Sequence, residues 1–147
     1  MRVFVGGTFD GVHRGHLFLL ERARRRGAAL ATRLGRPGVR LIVVVARDDS
    51  VRRIKHRAPH HTQRERRNLI AALRPVDEAF VGAANDFIAS VRRADPDLIV
   101  LGHDQKAGWE DALRAAGIHA RIVRCTPYER RRLQNSVLRP DLERMST

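Results

Sequence analysis

Residues 6–16 read Gly-Gly-Thr-Phe-Asp-Gly-Val-His-Arg-Gly-His, and they hold the side chains best suited to chemistry. His13 and His16 stand three positions apart, a spacing that sets both imidazoles on one face of a helix start. An apolar strand, Val3 to Val5, leads in, and Leu17, Leu19, Leu20 and Ala23 continue as an amphipathic helix. A strand feeding a glycine-rich turn into a helix start gathers backbone N–H groups and the positive end of the helix dipole at one point. Imidazoles added to that point make a site for an anion. Transfer at phosphorus needs this kind of charge stabilisation, on the crowded phosphate and on its leaving group. Thr8 adds a hydroxyl, Phe9 a backbone N–H, and Gly15 allows a phosphate close to the main chain. Asp10 lies in the turn, where it could orient the chain, assist a metal or border a second substrate. A helix cap with two incidental histidines is the plainer reading, and the full strand–turn–helix context counts against it.

The elements that must position these residues alternate along the chain. Strands are expected at 2–5, 40–46, 78–81, 98–101 and 120–124, and helices at 16–34, 62–73, 86–94 and 109–116. The runs VFV, LIVVV and LIVL are continuously apolar, as strands are when helices cover both faces of a sheet. The pattern predicts an α/β fold: a Rossmann-like, doubly wound, five-stranded parallel sheet in a single domain spanning 1–147, with 139–147 as a frayed tail. Ligands in such sheets bind beyond the carboxyl ends of the strands at the topological switch point. The loops after Val5, Ala46, Val81 and Leu101 are therefore expected to face one crevice. The stretch 27–39 holds Gly35, Pro37 and Gly38 and is expected to close the first helix and turn toward the second strand.

Composition narrows the partners. There are 29 basic and 16 acidic residues, and only Lys55 and Lys106 among the basic ones are lysines. A formal charge of +13 suits polyanionic ligands. The arginine clusters are not interleaved with aromatics, so a stacking platform for single-stranded nucleic acid is not expected. No apolar run approaches membrane-spanning length, and Cys125 is the single cysteine, so no intrachain disulfide can form. A cytoplasmic protein is expected. Cys125 reads as a small buried thiol.

The segment 6–16 resembles the T/H-x-G-H signature of the nucleotidyltransferase superfamily, which includes cytidylyltransferases, pantetheine-phosphate adenylyltransferase and FAD synthases. The likeness also covers 43–49, 66–81, 98–106 and 133–138. It is strongest to the small archaeal-type FAD synthases, followed by the glycerol-phosphate cytidylyltransferases. The resemblance implies transfer of a nucleotidyl group from ATP or CTP to FMN or another phosphate acceptor, with Mg²⁺ held mainly by the nucleotide phosphates and no all-protein metal site. It implies phosphate-stabilising roles for His13 and His16, and a loop after the second strand in which Asp48 approaches the acceptor and Lys55 the phosphates. Leu73-Arg74-Pro75-Val76-Asp77-Glu78 resembles the family's R-x-VDE segment and places Arg66, or Arg67 one register on, at a nucleotide-contacting arginine. Gly102, Asp104 and Gln105 resemble a G-aromatic-D-Q run that meets the nucleotide, whereas the cytidylyltransferases have G-D-D-W. Ser136 fits the last hydroxyl of a triphosphate-binding I-S-[ST]-T-x-I motif in which Gln134 and Asn135 depart from the family pattern. A homodimer is implied by analogy. The other readings are a CTP-dependent enzyme acting on glycerol 3-phosphate or a related alcohol phosphate, and a binding protein that kept the fold and lost the chemistry.

Overall fold

Apolar segments of four to six residues form the strands, and each alternates its side chains between two cores. In the computed structural model, which describes residues 1–84 and 86–128, the strands are β1 (Arg2–Gly7), β2 (Arg40–Val45), β3 (Glu78–Val81), β4 (Leu98–Leu101) and β5 (Arg121–Arg124). All pairings are parallel, in the order β3-β2-β1-β4-β5. Val3, Val5, Leu41, Val43, Leu98 and Val100 point to one face, against helices α1 (Arg14–Arg33) and α3 (Gln63–Ala71). Phe4, Ile42, Val44, Ile99 and Leu101 point to the other, against α4 (Phe87–Ala94) and α5 (Trp109–Ala115). This period-two split makes one domain with a three-layer core, as the apolar strands require. Among the described residues, no helix is long and apolar enough to cross a membrane.

The sheet reverses direction of growth between β1 and β4, so the switch point lies where β1 ends. Sequence reasoning ended β1 at Val5, but the ladder runs on, with Gly6 opposite Val44 and Gly7 opposite Val45. The first helix closes within 27–39 as expected: α1 passes through Gly27 and ends at the Leu34 C-cap. Gly27 is buried where α1 crosses β1, and a Cβ there would collide with the side chains of Val3 and Val39. Its role is therefore close packing. The loop expected after the second strand is corrected to a helix, α2 (Asp48–Lys55). Its acidic start and basic end complement the helix dipole, but it buries only Val51 and so offered no apolar stripe to read. The 133–138 motif, with Ser136, lies outside the described residues.

Candidate active site

The turn after β1 is built around an unusual helix cap. His13 is the N-cap of α1; its Nδ1 accepts from the Gly15 N–H at 3.0 Å, and the His16 Nδ1 accepts from the His13 N–H at 3.3 Å. Two imidazoles thus perform the reciprocal bonding of a capping box. The consequence is chemical. A neutral imidazole whose Nδ1 accepts carries its proton on Nε2, so each ring keeps one N–H donor free of the cap. The rings stack with centroids 3.9 Å apart and 20° between planes. Burial, and then the neighbouring His13, hold the His16 imidazole down from 6.5 to about 4, with Lys55 acting the same way and Asp104 opposing. At neutral pH His16 is a neutral donor, and Lys55 and Asp104 both lie within its electrostatic reach.

Phe9 shapes this turn from below. Its backbone is left-handed, with φ at 54°, while its ring is buried and meets His16 edge-on at 5.3 Å. The ring occupies the space that a Cβ on Gly7 would need, so only glycine fits there. Gly15 packs as closely, against the His13 ring.

Three long-range ties hold the loops around the turn, and sequence reasoning missed each of them. Arg66 is 1% exposed, and its guanidinium donates to the Thr8 carbonyl at 2.7 Å, the His61 carbonyl at 3.0 Å and the Asp48 carboxylate at 2.8 Å. Asp10 accepts from the backbone N–H groups of His60 and His61 at 2.8 and 3.0 Å, and the His60 bond is the main cause that lowers its carboxyl. Arg124 donates to the carbonyls of Gly102 and Gln105 at 3.0 and 2.8 Å and pairs with Glu110. The signal for these ties was absent because most partners lie 14 to 58 positions apart, the Arg66–His61 bond alone among them spanning five. Arg67, the neighbouring register, donates to the Ala79 carbonyl at 2.9 Å instead and faces the sheet edge.

The loops therefore meet where the sequence placed them. The Gly102 N–H donates to the Gln105 Oε1 at 2.7 Å, and the Gln105 Nε2 donates to the Gly6 carbonyl at 3.0 Å, so the turn after β4 is tied to the end of β1. The Asp48 N–H donates to the Gln63 Oε1 at 3.0 Å, tying α2 to α3. A cavity of about 240 Å³ opens beside the turn, bordered by Gly6, Gly7, Thr8, Arg47, Gly82 and Gln105. A larger and more open cleft of about 540 Å³ lies at the other end of the strands, near Met1, Asp97 and Arg121, far from the imidazoles. Of the two, the smaller borders the turn after β1. Cys125 is buried in the core, where burial pushes its thiol up and away from reactivity. Among the described residues, no three of His, Cys, Asp and Glu gather as a metal-ligand group.

Comparison with known proteins gives the same outline. The family model described as Cytidylyltransferase-like matches residues 4–139. The FAD synthase of Methanopyrus kandleri is 38% identical over 139 residues, covering 92% of this chain and 87% of that protein. The FAD synthase of Methanothermobacter thermautotrophicus is 40% identical over 129 residues, covering 86% and 80%. A crystal structure of the lipopolysaccharide core biosynthesis protein from Thermoplasma volcanium superposes with a TM-score of 0.75 at 33% identity, covering 88% of this chain and 98% of that one.

Proposed function

The chain belongs to the cytidylyltransferase-like family, and from that premise we propose that it is an FMN adenylyltransferase, converting FMN and ATP to FAD and pyrophosphate. The observation that carries the chemistry is the imidazole capping box at the switch point. An oxygen of the FMN phosphate, already ionised at neutral pH, attacks the α-phosphorus of ATP. The bond from that phosphorus to the bridging oxygen breaks in line, and the electron pair leaves with pyrophosphate. No general base is needed, so the protein's work is positioning and charge stabilisation.

In this reading His13 and His16 donate from Nε2 to phosphate oxygens as neutral groups. Neutral donors suit a step in which charge migrates, because they stabilise the shifting charge without holding the product as tightly as a fixed cation would. Thr8, the Phe9 backbone and Gly15 line the path of the phosphates. Lys55, at the C-terminal end of α2, supplies the mobile positive charge. Gly102, Asp104 and Ser136 serve the nucleotide, and Gln105 serves it by holding the turn after β4 against the end of β1. Arg66, Asp10 and Asp48 act through the loops they tie, and Arg66 serves the nucleotide by fixing Thr8. Mg²⁺, which prefers phosphate oxygens and water to an all-protein cage, would neutralise charge on the nucleotide phosphates.

The test is to offer ATP or CTP against FMN or glycerol 3-phosphate with Mg²⁺ and read products by mass. FAD from ATP and FMN alone is the expected result. CDP-glycerol would move the chain to the cytidylyltransferase branch, and nucleotide binding without any product would make it a binding protein.

A further inference from the structure

The cavity beside the phosphate turn has an aromatic wall that phosphate chemistry does not require. Trp109, the single tryptophan of the chain, and Phe87 bring their rings to 4.3 Å between centroids, inclined at 46°. Both are half-buried and pack from behind on the core shared by α4, α5 and the sheet. Ile54 stands at the rim with 68% exposure, the most open of the large hydrophobic side chains in the described residues. A small alcohol phosphate has no surface to cover these groups. A flat, fused ring does, and it gains most where the partner ring is held rigid in advance.

We propose that Trp109, backed by Phe87, is a specificity-determining residue that stacks on the isoalloxazine ring of FMN, an inference that rests on reading the chain as an FMN adenylyltransferase. Gly7 and Thr8 border the cavity and also lead into the phosphate turn, so ring and phosphate occupy one continuous path. Gln105 shares the cavity, but its amide is committed to Gly6 and Gly102. Arg47, Ser50, Arg53 and Asp86 also border the cavity and can meet the polar edge of the ring, while its flat face is left to the apolar wall. Flavin specificity therefore comes from a contact formed between α4 and α5, outside the phosphate-binding segment.

The test titrates FMN into the full chain and follows flavin emission, which falls when an indole stacks on the ring. Steady-state KM values for FMN and ATP are measured on the same preparations. Trp109→Leu keeps an apolar side chain against the core and removes the ring. FMN affinity should weaken between about fivefold and about a hundredfold, the range for loss of one stacking partner. Bound flavin should regain its emission, the KM for ATP should stay in place, and Trp109→Phe should recover part of the affinity. If Trp109→Leu leaves FMN affinity and quenching unchanged while FAD still forms, the stacking role is overturned and the proposed activity survives. If the unaltered chain binds and quenches FMN through Trp109 yet forms no FAD, the stacking role stands and the proposed activity fails. Absence of FMN binding overturns both.

Discussion

Arg66→Ala removes a guanidinium that is 1% exposed and bonded to three partners from different segments. Left behind are the Thr8 and His61 carbonyls, the Asp48 carboxylate and a cavity under the phosphate turn. Breaking a buried ion pair by deleting one partner costs about 3–5 kcal/mol. The Asp48 side chain is 27% exposed, so water can reach it, and the lower end of about 3 kcal/mol applies. For a chain of this length that is a fall in Tm of roughly 10 °C. Arg66→Lys retains a charge but cannot span three acceptors with one ammonium, and about half of the loss should remain. Both variants should also lower kcat, since the main-chain carbonyl of Thr8 is one of the three anchors and a misplacement of about 1 Å costs roughly a hundredfold in rate. Thermal unfolding by circular dichroism and initial rates of FAD formation, measured together, check this. If Arg66→Lys left Tm unmoved and raised only the KM for ATP, Arg66 would be a direct nucleotide contact and the clamp argument would be refuted.

Other expectations follow from the same geometry. His16→Ala should lower kcat about 100- to 1,000-fold, the cost of removing one preorganised donor, while costing only about 1 kcal/mol of stability through the broken cap; steady-state rates and urea unfolding read the two separately. The His16 imidazole sits near 4 in the folded chain against an ordinary 6.5, so the unfolded chain takes up the proton first. Its stabilising effect is complete above pH 6.5 and is lost as pH falls from 6.5 toward 4. Screening on the open side of the site reduces the effect to about 1–2 kcal/mol. Unfolding at pH 7 and pH 4.5 should therefore differ more for the unaltered chain than for His16→Gln. Gly27→Ala should lower Tm, because the new methyl meets Val3 and Val39 at a cost of about 1–3 kcal/mol that exceeds the helix-propensity gain of at most about 1 kcal/mol; a rise in Tm on thermal melting would show that the packing there is loose.

Fold class was readable because it rests on local pattern. Runs such as LIVVV have no polar face, and only a strand covered on both sides accommodates them. The imidazole pair was readable for a related reason, since three-residue spacing at a helix start fixes which side chains meet. Helix α2 was not, because its residues bury only Val51 and carry charge on nearly every other position. The roles of Arg66, Asp10 and Arg124 were illegible because each depends on a carbonyl or N–H group that a distant segment brings into range. The meeting of Phe87 with Trp109 is of the same kind: it exists only once α4 and α5 lie side by side.

The most direct measurement follows ATP labelled at the α-phosphate through a single turnover with FMN and Mg²⁺. Attack by the acceptor phosphate predicts that the label appears in FAD, in a one-to-one ratio with unlabelled pyrophosphate, and that His16→Ala slows its arrival without changing its destination. Label recovered in AMP, or retained in ATP while FMN stays unchanged, would contradict adenylyl transfer as the function of this site.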